Sequence, residues 1–456
     1  MLECTWNRQG SAHGSVQERK IFRPISILPT LSKLLERHVH ISFYKFLKSN
    51  NLLHKAQSGF RNLFSCETAI TYMIDKWAKA INEGYMNGVV LLDLRKAFDL
   101  IDHSILLQKL RMYKCSTNSV NWFSSYLQNR YQSTSVNGKI SSKLPMMKGV
   151  PQGSILGPLL FIVFINDLPL SIPHGDIDMY ADDSTITTSA KTINQLNENL
   201  NQAMDEVSNW CNDNKMMPNT DKTKCMLITS WQKRLHIPQN EDLCVSLNDI
   251  VLENVTSKPL LGVTMNHNLS WEDHINTTVS KINRSIAVLR RIKQYLPLQT
   301  RKLFFNAHIL PHMDYCSIVW GGSPHVKKIN LAQQRAARVI LDITDNRYPS
   351  KDMFLTLNWM PIEDRIKYHK AIMVYKSLNY MTNMFRFVRQ VHTKTTRSSS
   401  ANDLYLPSGK HKQIYTNTFG YSSVKIWNTL SSNIRESVSL NNFKRKCLTN
   451  YFLTSN

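Results

Sequence analysis

The chain has 456 residues and a formal charge of +23, from 56 Lys and Arg against 33 Asp and Glu. Hydrophobic residues make up 42% and charged residues 20%. This excludes a disordered chain and allows a sizeable core. The charge is lopsided: residues 1–280 hold 28 basic and 25 acidic side chains, whereas 281–456 hold 28 basic and 8 acidic. Concentrated positive charge favours a polyanion partner, because phosphate contacts dominate nucleic-acid affinity. An anionic membrane surface or simple solubility is the alternative. None of the eight cysteines forms a CxxC pair. That argues against a zinc knuckle and a secreted disulfide framework, and for reduced, intracellular cysteines.

Residues 1–21 are polar and unpatterned, and show no apolar stretch of the kind a signal peptide needs. Leu31, Leu34, Leu35, His38 and Val39, continued by Phe43, Phe46 and Leu47, predict an amphipathic helix. QSGFRNLFSC (57–66) reads as a loop, and Thr68 to Ile81 as a second helix. The apolar run 89–94, opened by Gly88, predicts a strand buried on both faces. A helix is expected from about Lys96 into 103–110, and a hairpin over 131–145 around Asn137-Gly138. The uncharged run Gly149 to Asn166 is too short and too interrupted by Pro151, Gln152 and Pro158 for a membrane span. A buried helix starting near Pro158 is expected instead.

Residues 177–187 (IDMYADDSTIT) predict a hairpin with its carboxylates at the turn. An amphipathic helix over 192–211, a turn at 219–223 and a strand at 225–229 follow. Beyond residue 270, helices with basic outer faces are expected at 275–289, 331–340 and 361–378, and an exposed linker at 392–412.

Asp93 sits at the end of an apolar strand, and Asp182 and Asp183 lie beside each other in an apolar hairpin. Carboxylates rarely enter such settings without a partner. A divalent cation between them would relieve their repulsion, and magnesium favours oxygen ligands. An isolated Asp-Asp pair, however, reads more readily as a solvated turn, and Asp93 as a helix cap.

Context changes that balance. The chain reads FRPISILPTLSKLLER, QSGFRNLFSCETAI, VVLLDLRKAFDLIDHSILLQKL, GVPQGSILGPLLFIVFINDL, MYADDSTI, NTDKTKCMLI and LLGVTMNHNLSW, in that order over 22–271. It resembles the reverse transcriptase of LINE-type (non-LTR) retrotransposons, close to the jockey-like branch. HMDYCSIVWG and LAQQRAARVI resemble the C-terminal extension of those elements.

The resemblance implies an α+β right-hand polymerase: fingers, a palm with an antiparallel sheet and a helical thumb, plus a basic, mostly helical C-terminal region. It divides the chain into a ragged 1–21, a reverse transcriptase domain at 22–262, a thumb at 263–310 and a basic region at 311–456. It implies RNA-templated addition of deoxynucleotides to a primer 3′ end, with two Mg2+ ions or Mn2+ in their place. Asp93, Asp182 and Asp183 then resemble the metal carboxylates, assisted by the Leu94 carbonyl. Phe98 resembles the gate against a 2′-hydroxyl. Lys96 and Ala97 resemble the triphosphate-binding turn, and Arg23 the fingers clamp. Gln152 and Gly153 resemble the loop under the nascent base pair. Lys222, with Lys224 as competitor, resembles the general acid, and Leu261-Gly262 the primer grip. Asp99 and Asp102 are taken as helix-start or ion-pair residues, and Trp320 and Tyr315 as core.

The implied partners are an RNA template, a DNA primer or target, and dNTPs. No membrane partner is expected, and the location is nuclear or cytoplasmic rather than secreted. No endonuclease signature is present, so nicking would come from elsewhere or be lost. The alternative is an element remnant that binds RNA without polymerising.

Overall fold

The computed structural model describes residues 26, 28–133, 135–136, 139–238, 241–345, 347–382, 385, 387–388 and 403–454. Its centre is a five-stranded sheet of β1 (Met86–Leu92), β2 (Asp176–Tyr180), β3 (Asp183–Ala190), β4 (Lys224–Ile228) and β5 (Glu253–Asn254), in the order β5-β4-β1-β3-β2. β1 is antiparallel to both neighbours, and only the short β5 pairs in parallel.

Every residue of β1 is buried. Alternate side chains of a strand point to opposite faces, so the apolar run feeds two cores at once. Met86, Val90 and Leu92 face the helices Leu156–Phe164 and Ile193–Asp213. Val89 and Leu91 join a second cluster that begins at Ile70 and continues to Cys447. This second core is continuous from the helix Cys66–Asn82 through Glu272–Ile292 and Val326–Leu341 to Ile362–Leu378 and Phe419–Thr429. The basic C-terminal helices are therefore built into the same body as the sheet.

The expected helices over 192–211, 275–289, 331–340 and 361–378 form as Ile193–Asp213, Glu272–Ile292, Val326–Leu341 and Ile362–Leu378. Three expectations change. The helix expected from about Lys96 begins instead at His103, where Asp102 accepts from the Ser104 and Ile105 amides as its N-cap. Residues 95–99 are turns, with Lys96 at φ 46°, outside helical geometry. In Thr30–Ser49 the leading leucines of the stripe face outward: Leu31 is 80% exposed, and Glu36, Phe43 and Leu47 are buried instead. Periodicity reports an apolar face but not what covers it. Tyr315, read as core, lies at the surface, whereas Trp320 is fully buried. Asn137-Gly138 lie outside the described residues, as do most of the proposed linker residues; strands 135–136 and 139–140 pair on either side of the former. Among the described residues no helix is long and apolar enough to cross a membrane.

A buried carboxyl group is among the polar contacts that tie the C-terminal helices to the helix behind the sheet. Asp75 Oδ2 accepts from the Gly420 amide at 2.7 Å, at the start of Phe419–Thr429. Its Oδ1 is closed off from solvent. Burial pushes the Asp75 carboxyl up to about 7, against the opposing pull of the Gly420 amide and Lys370. The fold thus favours protonated Asp75. Its contribution to stability is complete below the ordinary carboxylate range and is lost as pH rises through about 7. Asp75→Asn should flatten the fall in melting temperature between roughly pH 4 and pH 7. An unaltered pH slope in thermal melts would contradict this.

Candidate active site

Asp93 follows directly on β1, and its position is set by the ladder. Leu92 pairs with Ser184, so Asp93 and Asp183 emerge at the same end of adjacent strands. Both line one cleft of about 340 Å3, together with Lys222, Lys224 and Lys258. Asp182 occupies the tip of the hairpin between β2 and β3, after Ala181 at φ 57°.

The turn that carries Asp182 is held from outside. Gln57 is fully buried, and its Oε1 accepts from the Ala181 amide (2.9 Å) and the Gly59 amide (2.7 Å). The Ser58 amide donates to the Met179 carbonyl (2.8 Å), and the Met179 amide to the Ala56 carbonyl (2.9 Å). Gly59 passes so close that an added Cβ would stand 2.2 Å from the Ala181 nitrogen. Only glycine allows that approach. Residues 56–59 thus brace the left-handed turn, and Gln57 is a supporting residue that the sequence reading passed over.

Asp93 is braced from the other side. Asn219 Nδ2 donates to its Oδ2 (2.8 Å), and the Asn219 amide donates to its carbonyl (2.8 Å). The Asp93 amide donates to Thr223 Oγ1 (3.1 Å). Leu94 lies opposite Pro218, between the Asn219–Asp93 bond and the Arg95–Met217 bond. Neither bond uses the Leu94 carbonyl, which keeps it available as a ligand.

Phe98 is half-buried, stacked on Phe161 (centroids 4.4 Å, 21° apart) and edge-on to Phe60 (6.4 Å). Ala97 is buried and Lys96 exposed. Gln152 Nε2 donates to Asp99 Oδ1 at 2.8 Å. The Val150 amide donates to the Phe98 carbonyl (2.9 Å), and the Gly149 amide to the Ile101 carbonyl (2.8 Å). The loop of Gln152 and Gly153 is therefore tied to the segment that carries Phe98. Asp99, read as a helix-start or ion-pair residue, is the hydrogen-bond partner of Gln152. Asp102 does cap a helix and also pairs with Lys215 (2.9 Å). Arg23 lies outside the described residues.

Three lysines edge the cleft. Lys222 is exposed, and Lys224 pairs with Glu253 at 2.5 Å. Lys258, absent from the sequence reading, reaches the Lys222 carbonyl with its Nζ (2.5 Å). Burial and then Lys224 lower its pKa, while Asp93 and Asp183 pull it back up. Its charge is thus felt at both carboxylates. Leu261 and Gly262 form the turn between strands Ser257–Leu260 and Val263–Asn266.

Among the described residues, no group of three or more His, Cys, Asp or Glu side chains converges as a preformed metal cage. The donors at hand are hard carboxylate oxygens open to a cleft. They suit magnesium, which takes one or two carboxylates and completes its shell with water and phosphate.

A family model described as reverse transcriptase (RNA-dependent DNA polymerase) matches residues 14–277. The chain belongs to the reverse transcriptase family. It is 26% identical over 367 residues to the probable RNA-directed DNA polymerase from transposon BS of Drosophila melanogaster, covering 77% of this chain and 39% of that protein. To the RNA-directed DNA polymerase from mobile element jockey of the same species it is 28% identical over 333 residues, covering 70% and 35%. The chain thus spans under two-fifths of the length of these relatives. Apo telomerase from Candida tropicalis matches with a TM-score of 0.40 at 10% identity, over 77% of this chain and 59% of that one.

In this chain, Asn219 fixes the carboxylate at the end of the central strand. Outer-shell partners of metal ligands are typically worth about 10–100-fold in metal affinity. Asn219→Ala should weaken Mn2+ binding by about that factor, measured by electron paramagnetic resonance titration. Unchanged affinity in a folded variant would show that Asn219 does not orient Asp93 for a metal.

Proposed function

We propose that the chain is an RNA-directed DNA polymerase of a non-LTR retrotransposon, adding dNTPs to a primer 3′ end on an RNA template. The observation that carries this reading is the placement of Asp93 and Asp183 at one end of paired strands, in a cleft of a chain that belongs to the reverse transcriptase family. Asp93, Asp182, Asp183 and the Leu94 carbonyl would hold two magnesium ions, or manganese in their place, whose Lewis acidity would favour ionisation of the 3′-hydroxyl and stabilise the pyrophosphate.

The chain's own residues do the rest. The turn at Lys96 and Ala97 offers backbone amides to the triphosphate, and Arg23 adds a planar fork for phosphate oxygens. Gln152, oriented by Asp99, and Gly153 form the floor under the new base pair. Leu261 and Gly262 seat the primer end. Lys222 is the proton donor to the departing pyrophosphate, with Lys258 placing a second positive charge beside the same carboxylates.

The same reading divides the chain into regions. Residues 22–262 supply fingers and palm, 263–310 the thumb and 311–456 the basic extension. The extension contributes most of the net positive charge. A template–primer duplex would be held through its backbone and A-form shape rather than its sequence. The protein would act where such duplexes form, in the nucleus or cytoplasm.

Phe98 makes the deoxynucleotide choice testable. Its ring is held from below by Phe161 and from the side by Phe60. A ring so fixed collides with a 2′-hydroxyl instead of yielding to it. Phe98→Ala should cut dNTP-over-rNTP discrimination by at least about tenfold, as steric contacts of this size are worth ~1–3 kcal/mol. Competitive single-nucleotide incorporation measures this. Equal use of dNTPs and rNTPs by the unmodified protein would count against a reverse transcriptase.

A further inference from the structure

The turn at Leu261-Gly262 is not self-supporting. Leu261 has φ 46° and Gly262 φ 80°, so two consecutive residues stand in the left-handed region. The flanking strands offer only four residues each. A two-stranded hairpin of that length is marginal without something to lean on.

Its strands lean on the core through Leu260, Val263 and Met265; the turn itself leans on the HMDYCSIVWG segment. The Tyr315 hydroxyl donates to the Leu261 carbonyl at 2.7 Å. The same ring lies over Gly262: an added Cβ would meet the ring carbon Cε1 and the hydroxyl oxygen at 3.2 Å each. Glycine at 262 therefore serves both the positive φ and the contact with the ring.

Tyr315 is itself anchored. Fully buried Trp320 donates from its indole Nε1 to the Tyr315 carbonyl (2.9 Å). The preceding Asp314 takes a forked pair of bonds from Arg365, at 2.5 and 2.6 Å. A rigid mount and a free face coexist, because 43% of Tyr315 remains exposed. Leu261 also borders a crevice that it shares with Tyr180 and Asp183. The Cys66 thiol lies beside both phenols, Tyr180 and Tyr315.

We propose that Tyr315 is a positioning residue for the primer: it sets the Leu261-Gly262 turn so that the primer 3′ end is presented to the aspartates. This rests on the polymerase reading above. It gives the C-terminal region a part in polymerisation beyond charge, since the hydroxyl that fixes the turn lies outside the sheet and outside the hairpin.

Tyr315→Phe removes the hydroxyl and keeps the ring. In the unliganded full-length protein, amide exchange over residues 257–266 should quicken by about fivefold or more in this variant, with the rest of the chain unchanged. In primer extension on an RNA template, KM for primer–template should rise about 3–10-fold, while KM for dNTP stays within about twofold. The melting temperature should hold, and Tyr315→Ala should show the larger effect on both readouts. Unchanged exchange in the hairpin overturns the proposal, as does an unchanged KM for primer–template. A uniform loss across all constants with a lowered melting temperature also overturns it. If the unmodified protein extends no primer, the polymerase reading fails, and exchange at the hairpin still decides whether Tyr315 holds the turn.

Discussion

The antiparallel pairing of β1 with β3 is the constraint on which the rest depends. Side chains alternate with a period of two, so a slip of one residue would reverse every buried position of β1. Two cores, one on each face, forbid that slip: Met86, Val90 and Leu92 belong to one, and Val89 and Leu91 to the other. With the register fixed, Leu92 must face Ser184, and Asp93 and Asp183 must leave the sheet together. Carboxylates that would repel each other in a flexible loop are held side by side by apolar packing several residues away.

Backbone order alone does not aim a side chain, and a second set of contacts does. Gln57 grips the left-handed Ala181, Asn219 grips Asp93 from both its side chain and its amide, and Asp99 grips Gln152. All are polar and link segments that are remote in sequence. They share one logic: a loop at the rim of the cleft is tied down at its base, and for Gln57 the bond is buried, where it counts for more. Tyr315 extends that logic to the Leu261-Gly262 turn, from a helical region that shares its core with the helix behind the sheet.

The parts of this arrangement that sequence reveals are those with local signatures. The apolar run of β1, the Asn-Thr-Asp-Lys-Thr turn and the long amphipathic helices are written in periodicity and turn chemistry. The brace residues are not. Gln57 and Ala181 stand 124 positions apart, and Asn219 and Asp93 126 apart. A polar residue in a loop carries no mark of such a distant partner. Lys258 was invisible for the same reason, being one lysine in a short strand. The outward leucines of the first helix fail differently: an apolar stripe says nothing about whether a neighbour arrives to cover it. Asp99 reads as a helix-start or ion-pair residue because its type suits both, whereas its partner is a neutral glutamine 53 residues on.

The account makes polymerisation depend on the carboxylate at the tip of the hairpin, not on the basic surface that would hold the nucleic acid. Primer extension on poly(rA)/oligo(dT), with Asp182→Asn beside the unmodified chain, separates the two. Magnesium-dependent incorporation of dTTP by the unmodified protein, abolished in Asp182→Asn while RNA binding is kept, is the predicted result. Incorporation by neither protein with magnesium or manganese, alongside intact RNA binding, would contradict the account, and so would equal incorporation by both.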